Sequence, residues 1–399
     1  MRVLQIDSVC KYGSTGEITY NIYNYIRESG DEAAVLYGRG VELNEENIYK
    51  FGLDWETFLH AGLARVTGYN GCFSAFSTQR LLSAIEKFKP DVIHIHELHA
   101  YFVNIKTLIE YIKEKRIPVV WTFHCEYMYT GKCGYAGSCE KWMTRCGECP
   151  KTQEYPKSLF FDKTSQMFEM KRELLNDLQV VYVTPSAFFA ERVKKSFLKD
   201  SQVEVIHNGI NTGIFYPRGK GTIRSELGIS NNKRILLSVA PGIMSVRKGG
   251  KWILELAQKE QNQNIEYVLV GEGNHIEKLA DNVTLVPLVK DKDKLARIYS
   301  EAECFIICSE HETFSLTCAE SLCCGTPIAG FKCDAPETIF KEPWARFVDY
   351  GDICSLREII DVQMESDLNG IDEYANKEFS NDIMCSLYML LYKRILGDK

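Results

Sequence analysis

Short runs of β-branched and aromatic residues alternate with longer amphipathic stretches along the whole chain, and the alternation happens twice. RVLQID, AAVLYG, DVIHIH, PVVWTF, VVYVTP and VEVIHN come first; RILLSVA, EYVLVGEG, VTLVPL, CFIICS, TPIAGF and RFVDYG follow after residue 208. Apolar runs of this kind suit strands covered on both faces, and strands separated by helical segments build parallel, doubly wound sheets. Two α/β sheets are therefore expected one after the other, and 399 residues are too many for a single hydrophobic core. The run HNGINTGIFYPRGKGT at 207–222 interrupts all periodicity and reads as a linker. The expected domains are 1–208 and 209–375. A closing segment, 376–399, carries FSNDIMCSLYMLLYKRIL, whose apolar spacing predicts a helix packing back on the first domain.

Charge and composition exclude several classes. The net charge of −7, from 47 basic and 54 acidic residues, argues against nucleic acid as a partner. MRVLQIDSVCKYG meets charged and turn residues too early for a signal peptide, and no stretch nears the ~20 apolar residues of a membrane span. A cytoplasmic protein is expected, with peripheral contact at the inner face of a membrane left open. In a reducing compartment most of the 15 cysteines are expected as buried thiols.

Ligands in open α/β sheets bind beyond the carboxyl ends of strands, so the loops after each run carry the candidates. SVCKYGSTGE, with Gly16, is either an anion-binding loop or a plain tight turn. His94 and His96 share one strand face, followed by Glu97 and His99; packing within the core is expected ahead of a metal site. His124 ends PVVWTFH at a strand tip, placed to touch a ligand. Arg247 and Lys248 precede a helix expected near Gly249, where two cations suit a diphosphate or simply form an exposed turn. In SEHETFSLTCAESLCCGTP, Glu312 falls in a loop and Glu320 in the helix expected from Phe314 or Ser315. Unpaired carboxylates are costly to bury; these two suit the diols of a sugar, while the free N–H groups near Ser315 and Leu316 suit an anion. Asp291 and Asp293 read as helix capping and surface charge.

Glu312 and Glu320, with GSTG at 13–16, DVIHIHE at 91–97, His124, TPS at 184–186, IHNGI at 206–210, RKG at 247–249, GEG at 271–273 and CGTPIAG at 324–330, give the chain a resemblance to the retaining glycosyltransferases of family 4, which have the GT-B fold. The likeness is greatest to the branch acting in colanic-acid and other exopolysaccharide assembly. It implies two Rossmann-like domains facing a deep cleft, and transfer of a hexose from a nucleotide sugar, UDP expected ahead of GDP, to a saccharide or lipid-linked saccharide. Glu320 would hold the ribose and Glu312 the donor sugar. Arg247 and Lys248 would bind the diphosphate, together with backbone N–H groups of Phe314, Ser315 and Leu316. His124 would contact the sugar near the reaction centre, Gly16 would admit the phosphates, and Val289 and Lys290 would line the base pocket. The chain departs from the family where Cys125 stands in place of a frequent aspartate. No cofactor is expected for catalysis, and retention is expected through front-face attack. A nucleotide-sugar epimerase, or a sugar- or metal-binding module, is the alternative.

Between PVVWTFH and the next helix lies an insert, 125–150, with Cys133, Cys139, Cys146 and Cys149. Four thiolates ending in CxxC suggest tetrahedral structural zinc, with free thiols as the alternative and an iron–sulfur cluster third. Tyr127, Tyr129, Tyr135 and Trp142 in the same insert are expected to shape an acceptor pocket.

Overall fold

A computed structural model describes residues 1–221, 223–366 and 368–397. The chain divides into two compact units: residues 1–207 with 384–399, and residues 208–383.

In the first unit the strands are β1 (Arg2–Asp7), β2 (Glu32–Tyr37), β3 (Ile48–Lys50), β4 (Val92–Ile95), β5 (Val119–Thr122), β6 (Val180–Thr184) and β7 (Val203–Val205). They form one sheet in the order β3-β2-β1-β4-β5-β6-β7, every pairing parallel. Helices cover both faces, which is why the central strands carry no polar alternation. The helix Asn381–Leu396 completes one face: Met384, Tyr388 and Tyr392 are buried among Val3, Ile22 and Val120. Burial of each such side chain contributes about 1.5–3 kcal/mol. Ser380 sits before this helix, its Oγ accepting from Ile383 N at 3.4 Å.

The second unit repeats the plan with β8 (Arg234–Val239), β9 (Ile265–Val270), β10 (Glu277–Ala280), β11 (Val283–Val286), β12 (Cys304–Ile307), β13 (Ile328–Phe331) and β14 (Ala345–Val348). The order is β10-β11-β9-β8-β12-β13-β14, parallel except for the β10–β11 hairpin. The two stretches at the unit boundary run side by side: Ile210 N donates to Phe379 O at 2.7 Å and Asn381 N to Ile210 O at 2.9 Å. The contact division therefore falls at 207/208 and 383/384, the second eight residues beyond the expected change at 375/376, because Phe379 packs with Phe314 and Phe340 of the second unit.

The cysteine insert is part of the first core. Tyr127, Tyr129 and Trp142 are buried, so these three rings do not line an open pocket; Tyr129 packs against Phe123, Phe189 and Trp142, and Tyr127 meets the His99 ring. Lysines fasten the insert: Lys171 Nζ donates to Tyr127 O at 2.5 Å and Thr130 O at 3.1 Å, and Lys132 Nζ to Lys151 O, Thr152 O and Glu154 O at 2.7–3.0 Å. Arg192 meets Glu126 at 2.5 Å and covers the Trp142 ring. Burial pulls Lys171 down to about 7 and lowers Lys132 as well, and the carbonyl oxygens around each take the place of water.

Candidate functional site

The polar groups of the second unit gather after β8 and β12. Beyond β8 the chain turns through Val246–Lys248 into the helix Gly250–Lys259. Gly249 makes that turn at φ +72°, and a Cβ there would stand 2.0 Å from Cys308 O, so only glycine brings the cations this close to β12. Arg247 O accepts from Glu310 N at 2.9 Å, locking the two loops together. Lys248 Nζ then meets Glu312 Oε1 at 2.5 Å. Glu312 is held by its backbone as well: its N–H donates to Cys333 O at 2.9 Å and its carbonyl accepts from Ala335 N at 3.2 Å.

The following helix starts at Leu316, one or two residues beyond expectation, because Ser315 takes a left-handed conformation (φ 76°, ψ 87°) and caps it, Oγ accepting from Cys318 N. A non-glycine residue held in that conformation is uncommon and marks a constrained turn. The Phe314 ring is buried against Phe340 and Phe379, which fixes the helix start from below. On the helix, Glu320 Oε2 accepts from the buried Tyr299 hydroxyl at 3.0 Å; burial and the adjacent carboxylate hold that phenol well above its ordinary range. Two carboxylates, two cations and a helix N-terminus thus come from three segments, the turn after β8, the loop after β12 and the helix Leu316–Cys323. Val289 and Lys290 lie in the loop after β11, and no hydrogen bond or ion pair among the described residues ties them to this group. Asp291 caps the helix Lys292–Glu301 through Asp293 N and Lys294 N.

In the first unit, histidines follow β4 and β5. His94 Nδ1 pairs with the Tyr392 hydroxyl at 2.7 Å and Nε2 with Thr122 Oγ1 at 2.8 Å, and burial holds its pKa well below the ordinary value. It is a neutral core histidine. His96 bridges Gln5 Oε1 at 3.1 Å and His124 Nε2 at 3.2 Å, and burial likewise keeps it neutral. Burial lowers the His124 pKa too, against the pull of Glu97. The chain of contacts continues from Gln5 to Thr19 O, and from the Thr19 hydroxyl to Asp7 Oδ2 at 2.8 Å; burial pushes Asp7 up to about 7. Gly16 lies in the helix Gly13–Glu28, where a Cβ would come within 3.0 Å of Val9 Cγ2 and 3.2 Å of Cys10 Cα; its smallness lets the Val9–Cys10 loop close on the helix.

Glu97 Oε2 meets His99 Nε2 at 2.9 Å and accepts from Cys125 Sγ at 3.3 Å. Burial works against both charges, yet the pair prevails: Glu97 is held below its usual range and His99 well above it. Cys125 thus occupies a place beside a carboxylate where an acid would be repelled. Among the described residues these three ligand atoms form the one trio of histidine, cysteine and carboxylate groups within 4.8 Å of one another. Cys133, Cys139, Cys146 and Cys149 surround a separate cavity of about 20 Å³, room for a single water-sized guest. Cys133 donates to Cys149, which lowers Cys149 to about 6, and Cys146 Sγ accepts from Gly131 N at 3.1 Å. The four thiols share this cavity, but among the described residues no three of their sulfurs lie within 4.8 Å of one another, so a tetrahedral metal would require them to draw together around it.

Tyr299, Asp7, Thr19 and Gln5 were absent from the sequence candidates, whereas His96, to which Gln5 connects, was expected to pack in the core. Asp7 had a signal, a charge ending an apolar strand. Tyr299 had none, being one aromatic position in an amphipathic helix.

A model of Glycosyltransferase Family 4 matches residues 16–213, and one of Glycosyl transferases group 1 matches residues 234–361. The Escherichia coli protein named as a colanic acid biosynthesis glycosyl transferase, WcaC, is 22% identical over 319 residues, 77% of each chain. Among solved structures, sucrose-phosphate synthase from Thermosynechococcus elongatus superposes with a TM-score of 0.70 at 14% identity over the full length of both chains. Anabaena HepE, solved in complex with UDP-glucose, superposes with a TM-score of 0.67 at 14% identity, covering 99% of this chain and 100% of its own. These likenesses show the two-domain GT-B fold.

Proposed function

Because the chain belongs to glycosyltransferase family 4, we propose that it moves a hexosyl group, with retention, from a nucleotide sugar to a saccharide acceptor carried on a lipid, in the assembly of a surface or exopolysaccharide. A UDP-sugar is expected ahead of a GDP-sugar. The observation that carries this reading is the Lys248–Glu312 pair at 2.5 Å beside the capped helix start at Ser315–Leu316. An incoming diphosphate takes Lys248 and Arg247 as counter-ions and the helix N–H groups as donors, which stabilises charge as it develops on the leaving group. Glu312, released from Lys248, accepts from sugar hydroxyls, and Glu320 accepts from the ribose. His124 is assigned to the sugar. The departing phosphate oxygen takes the acceptor proton, so attack on the face it leaves preserves the anomeric configuration and needs no bound metal. The four insert cysteines would hold a structural zinc, a site that cross-links the segment between β5 and the helix Thr164–Leu175.

The test is unfolding temperature against a panel of UDP-, GDP-, ADP- and TDP-sugars, for wild type and Glu320→Ala, since a site-specific ligand stabilises by mass action. A shift with one nucleotide, lost in Glu320→Ala and followed by an α-linked product from an α-linked donor, supports the proposal. Donor turnover without any acceptor product would make the protein an epimerase, and no shift with any nucleotide would make it a binding module of the same fold.

A further inference from the structure

The helix Asp54–Thr67 in the first unit is inverted. Its solvent face carries Trp55, Phe58, Leu59 and Val66, Phe58 with 77% exposure, while Glu56, Thr57, His60 and Ala64 face inward. Single exposed apolar residues are ordinary, but a whole apolar stripe turned to water is not. The inward polar groups explain why the helix cannot roll over. Glu56 accepts from Phe76 N at 2.9 Å and Ser77 N at 2.7 Å, capping the helix Ala75–Phe88, and His60 pairs with Gly71 N and the Ser74 hydroxyl.

The apolar surface continues past both ends. The Trp55 ring lies 6.0 Å from Phe76, itself 65% exposed. At the other end Leu159 N donates to Arg65 O at 2.7 Å, fastening against the helix the loop that presents Phe160, 71% exposed, and Phe161. The five aromatic rings alone leave on the order of 600 Å² in water, taking ~150–250 Å² for each. That matches or exceeds the largest patch on a typical soluble monomer. The exposed charges on segments 55–66, 75–80 and 157–161 are Arg65, Arg80 and Lys157, all basic in a chain of net charge −7. The flanking acids are engaged: Asp54 pairs with Lys50 at 2.7 Å, and Asp162 accepts from Cys149 N and Thr164 N.

We propose that this face docks the protein on an anionic lipid bilayer, with the rings at the headgroup boundary and the three cations among lipid phosphates. A symmetric contact between two copies is disfavoured by the same residues, since it would set Arg65, Arg80 and Lys157 against themselves. The inference deepens the lipid-linked-acceptor part of the proposed function and takes its biological purpose from that reading, while its physical basis is separate.

The experiment is co-sedimentation of the full chain with vesicles of phosphatidylglycerol and phosphatidylcholine, against phosphatidylcholine alone, without donor or acceptor. Wild type and Glu320→Ala are expected to bind the anionic vesicles equally. Phe58→Ser with Phe160→Ser should weaken binding by at least about tenfold, and Arg65→Glu with Lys157→Glu should do the same and abolish its salt dependence; both pairs are exposed, and unchanged unfolding temperatures check the fold. Vesicle binding by a protein that transfers no sugar would support the surface and sink the enzymatic reading. Transfer to a soluble acceptor without vesicle binding, equal binding by the Phe variant, or a dimer that the Phe variant splits with vesicle binding unchanged would each overturn the surface.

Discussion

Replacing Lys248 by alanine strands the Glu312 carboxylate. The two side chains are 14% and 13% exposed, and Glu312 is anchored at both its N–H and its carbonyl, so it cannot swing out freely to water. Breaking a fully buried pair by removing one partner costs about 3–5 kcal/mol, whereas exposed pairs contribute about 0.2–1 kcal/mol. At this burial the expected loss is about 2 kcal/mol, or about 4–8 °C in the unfolding transition of a unit of this size. Glu312→Gln leaves the ammonium better able to reach water, and the double variant should recover part of the loss, for a coupling of about 1–2 kcal/mol. Ligand binding supplies a second readout with a different sign. A diphosphate must take Lys248 away from Glu312, so Glu312→Gln should bind free nucleoside diphosphate several-fold more tightly while losing roughly 100-fold in transfer. Lys248→Ala should lose both. Calorimetric unfolding with and without nucleotide, together with an assay of released nucleoside diphosphate, measures all of these. A Lys248→Ala protein within about 0.5 kcal/mol of wild type, combined with unchanged nucleotide affinity in Glu312→Gln, would refute the reasoning.

Tyr299→Phe removes the hydroxyl that donates to Glu320 and should weaken nucleotide binding by about 1 kcal/mol, less than Glu320→Ala, as read from nucleotide-induced thermal shifts. Asp7 has its folded pKa raised to about 7 from an ordinary value near 4; as pH rises from 4 to 7 the unfolded chain releases a proton that the folded chain retains, so stability falls by up to about 1.4 kcal/mol per pH unit. Asp7→Asn should gain on wild type across that window and show a flat difference above it, measured by denaturant unfolding at stepped pH. Lys171→Met leaves Tyr127 O and Thr130 O without their buried donor and should cost about 2–4 kcal/mol, with faster proteolysis within residues 131–163; unchanged cleavage would show that the lysine does not hold the insert.

Every apolar run quoted from the sequence became a strand, and the two strands without such a run, β3 and β10, sit at sheet edges. An edge strand has one neighbour and more water, so it needs no continuous apolar stretch; the residues of β10 are exposed throughout. The helix Leu316–Cys323 was expected slightly early because the left-handed turn at Ser315 is a backbone state that serine does not advertise. By composition the insert aromatics suit either a pocket or a core, and packing places Tyr127, Tyr129 and Trp142 in the core.

By itself the sequence determined the class of fold and supplied the candidate residues for the site. Period and run length follow from local geometry and burial, and Glu312, Arg247, Lys248 and His124 stand beyond strand ends where that geometry leaves room for ligands, with Glu320 on the helix that follows Glu312. What only the tertiary structure decided is which groups meet. Lys248 reaches Glu312 because Gly249 passes under Cys308 O, Tyr299 reaches Glu320 from a neighbouring helix, and His94 pairs with the hydroxyl of a tyrosine 298 positions away while burial keeps it neutral. The inverted helix at 54–67 is the same lesson on the surface: its hydrophobic period is visible in the chain, but the direction it faces is set by where Glu56 and His60 find their hydrogen bonds. Periodicity is a property of neighbours in sequence, whereas pairing, protonation and facing depend on contacts between residues far apart in it.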